Sequence, residues 1–256
     1  MLGGLAAAVR LQVQLLRSDA TSFMPLVLTP LFTIIFLEIV REAGRHDLAP
    51  YAVLAPVLMA LWQLSLLNSG EIVEDDRWQG TLELGVAAPV PYAVVVLGRV
   101  LSVTVIALLS FVEVWLVAWG IFGVVVEVHH PFAFGLTLVA TALATAGTAT
   151  IMASLFIVTR SPRTFQNSLS YPFFVLGGVL VPVAFLPDWL EPLASVVFLS
   201  WSADLLRATV RAEPVDDLAF RVGMVLLLGG IGFAIGFGLL ARMLRRARRD
   251  ASLAVV

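Results

Sequence analysis

The sequence predicts an all-α integral membrane protein built as one bundle of six transmembrane helices. An N-terminal interfacial helix precedes them, a cytoplasmic helical segment separates spans 2 and 3, and a re-entrant or interfacial segment separates spans 5 and 6. Three observations carry this reading. Of 256 residues, 60% are hydrophobic and only 13% charged, with a mean hydropathy of +0.98; a soluble domain is nearer half apolar and a quarter charged. Stretches without charge recur at the length of about 20 residues that a helix needs to cross the bilayer core. Finally, Arg is unevenly shared between alternate loops.

Residues 1–19 place Leu5, Val9, Val13 and Leu16 at helical spacing, with Arg10 and Arg17 interrupting any signal-peptide core. This fits an interfacial amphipathic helix. Span 1, about 20–40, starts after Asp19, and span 2, about 50–70, lies between Asp47 and Glu71. Span 3, 100–126, holds a single charge, Glu113; span 4, 132–159, holds none. Spans 5 and 6 follow at 164–186 and about 220–241. The apolar run from 192 lies in a segment, 187–203, that is too short to cross and reads as re-entrant. The basic tail, 242–256, fits an anchor on anionic lipid. All of 1–256 forms one transmembrane domain.

With the N-terminus inside, the inner segments hold Arg10, Arg17, Arg77, Arg99, Arg160, Arg163, Arg242, Arg245, Arg246, Arg248 and Arg249. The outer segments hold Arg41, Arg45, Arg207, Arg211 and Arg221. The bias places both termini in the cytoplasm. All 16 basic residues are Arg, so the chain cannot supply the lysine of a Walker A phosphate loop. With 0 cysteines it has no thiol chemistry, thiolate metal site or disulfide. No nucleophile–base pair and no basic platform for nucleic acid stands out.

Between spans 2 and 3 lies the polar island 71–88, with Glu71, Glu74, Asp75, Asp76, Arg77 and Trp78 followed by Gly80-Thr81-Leu82-Glu83. Gly80 breaks the helix, Thr81 is placed to cap a new one with Glu83 in its first turn, and Pro89 and Pro91 end it. On the residues alone this is either a knob for another protein or a solvated loop. Glu113 has thirteen uncharged residues on each side. An acid at that depth usually faces the bundle interior or a cavity. It is read as a substrate-path, cation-binding or proton-linked group, or as a protonated or hydrogen-bonded acid holding helices together. The small-residue run 141–154 in span 4 predicts close helix packing, with Thr side chains able to bond across. His129 and His130 do not share a helix face, so they read as interfacial residues rather than a metal pair.

The pattern of Glu74, Gly80, Thr81, Leu82, Glu83, Ala88, Pro89, Gly98 and Arg99 resembles the cytoplasmic segment of ABC-2 type transporter permeases. A second block resembles the same family's outer loop: Gly177, Gly178, Pro182, Leu186, Pro187, Trp189, Leu190 and Arg207. The resemblance implies a permease subunit of a bacterial exporter of drugs, lipids or polysaccharides in the cytoplasmic membrane. Segment 71–88 would then be the coupling helix on a separate ATPase, present in two copies and binding the ATP and Mg²⁺. A second permease, identical or related, would complete the path, and the chain would not be an enzyme on its own. The acidic run Glu74-Asp75-Asp76 departs from the family's more basic pattern and implies a basic groove on the ATPase. Phe198-Leu199 stands where many members have Asn-Pro.

Two other classes compete on the residues alone. One is a non-transporting assembly or scaffold protein of the membrane, or a membrane enzyme with Glu113 as its acid. The other is a proton-coupled secondary transporter using Glu113, although residues 1–128 and 129–256 show no inverted repeat.

Overall fold

A computed structural model describes residues 24–45, 48–81, 92–155 and 162–249, with the single positions 10, 14 and 84. The predicted interfacial helix 1–19, most of 82–91 and the last residues of the tail lie outside them. Among the described residues every regular element is helical. In chain order these are α1 (Met24–Glu42), α2 (Ala49–Trp78), α3 (Tyr92–Ala107), α4 (Leu109–Phe122), α5 (Pro131–Leu155), α6 (Pro162–Leu176), a 3₁₀ turn (Val183–Phe185), α7 (Glu191–Ser195), α8 (Phe198–Thr209) and α9 (Leu218–Arg249).

Four of these stretches are long and apolar enough to cross a membrane: Ala49–Leu66, Tyr92–Phe122, Pro131–Leu155 and Leu218–Arg242. Several boundaries differ from the sequence reading. The helix of span 2 does not stop at 70; it runs unbroken through the polar residues to Trp78. Span 3 begins at Tyr92, and its helix is interrupted at Leu108, where the Ser110 hydroxyl donates to the Ala107 carbonyl at 2.7 Å. A side chain that takes a backbone carbonyl from the ladder is a recognised cause of bending. Helix α6 ends at Leu176 rather than near 186. Its 15 residues extend about 22 Å, short of a bilayer core of about 30 Å. The last helix carries the basic tail as its own final turns, to Arg249.

The centre of the bundle is the face of α2 around Trp62, which is wholly buried. Its indole stacks on Phe173 at 4.7 Å between ring centres and donates to the Ser170 hydroxyl at 3.3 Å, tying α2 to α6. Phe198 of α8 closes the cluster from another side.

Helices α5 and α9 pack backbone to backbone. A methyl group on Gly229 would lie 2.5 Å from Ala144 Cα, and one on Gly236 would lie 2.9 Å from the Thr150 carbonyl carbon. This is the close approach expected of small residues in membrane helices. The threonines do not bond across, however. Thr141, Thr145 and Thr150 each donate to the carbonyl four residues back in their own helix, at 2.7–2.8 Å. With these three hydroxyls satisfied within their own helix, the close contact of the two backbones is van der Waals packing.

Candidate functional site

The chain places its sequence-predicted residues at three separate locations. The first is the end of α2. Gly80 adopts φ +66°, and the Thr81 N–H donates to the Asp76 carbonyl at 2.8 Å. A left-handed residue followed by this 6→1 bond is the Schellman arrangement that closes a helix. The Thr81 hydroxyl donates to the same carbonyl at 3.2 Å. Thr81 therefore turns back to finish the preceding helix, where the sequence reading set it to start the next one.

One turn earlier, Asp76 accepts two side-chain bonds from α3. Arg99 Nη1 donates to Oδ1 at 2.7 Å, and the Tyr92 hydroxyl donates to Oδ2 at 2.7 Å. The Arg99 side chain is 1% exposed and that of Asp76 14%. A charge so far removed from water is tolerated only with a partner. Asp76, one of the three acids of the predicted ATPase contact, is thus engaged inside the chain as well. Tyr92 was not singled out in the sequence. It precedes Arg99 by seven residues, two helical turns, and so shares its face. For Glu71, Glu74, Asp75, Arg77 and Trp78 the helical backbone is described but not the side chains, and Leu82 and Glu83 lie outside the described residues.

The second location is a groove between α1 and α4. Its volume is about 500 Å³, and it is lined by Leu26, Val27 and Pro30 on one side and Glu113, Leu116 and Val117 on the other. Glu113 is half-buried; its Oε2 is shut off from solvent and has no hydrogen-bond partner among the described residues. The expected interior acid thus faces α1, a relationship invisible in the linear spacing.

The third location joins the two halves of the distal motif. Gly177 and Gly178 end α6: Gly178 takes φ +63°, and the Val179 N–H donates to the Phe174 carbonyl at 3.0 Å. A methyl on Gly177 would meet Leu199 Cδ2 at 2.9 Å, so α8 crosses directly over the turn. Arg207, buried in α8, donates through Nη2 to the carbonyls of Gly178 and Val179 at 2.5 and 3.0 Å. The motif's second glycine, Gly178, and its last residue, Arg207, are therefore hydrogen-bonded to one another. Pro182 precedes the 3₁₀ turn, the Leu190 N–H donates to the Pro187 carbonyl at 2.8 Å, and Trp189 is exposed.

Around this clamp the remaining arginines are engaged as well. The Arg211 Nε donates to the Tyr51 hydroxyl at 2.8 Å, a bond that raises the Arg211 pKa above its ordinary value. The Arg207 guanidinium lies 5.5 Å from the centre of the same ring, and Arg221 pairs with Asp204. The histidine rings at the start of α5 donate to backbone carbonyls, His129 to Val210 at 3.1 Å and His130 to Glu213 at 2.8 Å. They pin two loops together.

Residues 6–210 match the family model described as ABC-2 type transporter. Nodulation protein J of Rhizobium leguminosarum bv. viciae is 28% identical over 82 residues. That alignment covers 32% of each chain, so it spans about a third of the relative's length. The family match takes in α1 to α8 together with both motif blocks, and on that extent the chain belongs to the ABC-2 type transporter family, whose members are membrane components of ABC transporters.

Proposed function

We propose that this chain is the permease subunit of an ATP-driven exporter in a bacterial cytoplasmic membrane. It moves a hydrophobic or amphipathic substrate, such as a drug, lipid or glycolipid, outward. Six spans, both termini in the cytoplasm, and a second permease chain complete the arrangement. Two copies of a separate ATPase, which bind ATP and Mg²⁺, dock on segment 71–88.

The observation that carries this reading is the joint at the end of α2. Asp76 lies inside the docking segment and is bonded to both Arg99 and Tyr92 of α3. A push on the segment is thereby delivered to two membrane helices at once, because the helix is continuous from Ala49 to Trp78. A flexible loop would absorb the same push. Glu113 and its groove supply a polar point on an otherwise apolar route, and the Arg207 clamp keeps the opposite end of α6 closed over α8.

The test is replacement of Gly80-Thr81-Leu82-Glu83 by a flexible Gly/Ser linker. The variant should still reach the membrane but should no longer co-purify the ATPase encoded with it. Unchanged co-purification would remove segment 71–88 from the docking role.

A further inference from the structure

The groove beside Glu113 sets one ionisable side chain in an otherwise hydrocarbon lining. Glu113 Oε2 is buried and unpartnered among the described residues. On the facing wall stands Pro30, inside α1. Leu26 lines the same groove. The rest of the lining is hydrocarbon: Val27, Leu116 and Val117. A carboxylate in such surroundings is costly unless a cation meets it.

We propose that this groove is a binding site for an amphipathic amine, with the ammonium head paired to the Glu113 carboxylate that lines it. The alkyl or ring body lies along Val27, Leu116 and Val117. Charge complementarity selects the head: an anion would meet a carboxylate, and a neutral head would gain no ion pair. The volume of about 500 Å³ falls within the range of small-molecule sites, on the order of 300–1,000 Å³. The proposal deepens the export reading and rests on it only for the direction in which the amine would travel.

Binding is tested without the ATPase, on the protein in phosphatidylcholine nanodiscs. Three benzophenone-bearing probes share one dodecyl tail and end in an amine, an alcohol or a sulfate. After irradiation, peptides carrying Leu26–Pro30 and Leu116–Val117 are quantified by mass spectrometry. The amine should label them about tenfold more than the alcohol, and the sulfate least, as expected for a hydrogen bond to a charged group. Glu113→Gln should bring the amine down to the level of the alcohol. Leu116→Trp, which fills the groove and keeps the charge, should suppress both. Equal labelling by the three probes on the native protein overturns the proposal without any variant, as does a Glu113→Gln protein that keeps the preference for amine. ATPase co-purification from the same preparations separates the two readings: retained co-purification with no amine preference sinks this site alone, whereas amine preference without co-purification sinks the coupling role.

Discussion

Arg99 of α3 donates to Asp76 of α2 at 2.7 Å while its own side chain is 1% exposed, so the end of α2 is joined to the middle of α3 by a charge almost without access to water. Breaking a buried pair by removing one member leaves the other charge uncompensated. Asp76→Asn is therefore expected to cost about 3 kcal/mol, read as a lowered melting temperature in detergent. Tyr92→Phe removes one bond and should cost about 1 kcal/mol. The reversed pair, Asp76→Arg with Arg99→Asp, should recover part of the loss. A double variant no better than the sum of the singles would show that the two residues are not coupled.

The seam between α5 and α9 has no space for a side chain at Gly229, where a methyl would lie 2.5 Å from Ala144 Cα. Gly229→Ala should destabilise by about 2 kcal/mol through overpacking. Gly223, in the same helix, has nothing within 4 Å of an added methyl. Gly223→Ala should leave the melting temperature unchanged or raise it, since alanine is the better helix former. Equal effects at both positions would contradict the packing described.

Arg207 satisfies two carbonyls at the end of α6. Arg207→Gln leaves buried acceptors without donors, an expected loss of about 3 kcal/mol. Limited proteolysis should then cut within 179–197 well before the rest of the protein. A cleavage pattern identical to that of the native chain would show that the turn does not depend on the clamp.

Gly80 has open space around an added methyl but holds φ +66°. Only the backbone opposes a substitution there, so Gly80→Ala should cost about 1 kcal/mol. Gly80→Asn should cost less, because asparagine tolerates the left-handed region. A ranking with Asn worse than Ala in thermal melts would point to a contact in place of the backbone term.

Much of the bundle was legible in the sequence because membrane helices announce themselves by length and by lack of charge. The close seam followed from Ala, Gly and Thr in 141–154, and the two motif blocks located the ends of α2 and α6. The failures share a physical origin. Polarity at 71–78 suggested a separate piece, but helical hydrogen bonding does not require an apolar neighbourhood, and the helix continues. Thr141, Thr145 and Thr150 were expected to reach across; a hydroxyl finds its own i−4 carbonyl nearer. Asp76 and Arg99 were each singled out, yet their pairing depends on how two spans align, which no periodicity within one helix reports. The same holds for Glu113 against Pro30, and for Arg207 against Gly178.

The unbroken α2 has a consequence of scale. Its 30 residues make a rod of about 45 Å, against a bilayer core of about 30 Å. About a third of its length exceeds that core, and Asp76, which holds Arg99, lies two residues from the rod's end. A rod held near its middle by Trp62 would work as a lever under the proposed docking at its tip. A rotation of about 10° about the centre moves each end by roughly 4 Å. That is enough to part side chains packed at van der Waals distance, with no helix melting and none of the backbone bonds in the rod broken.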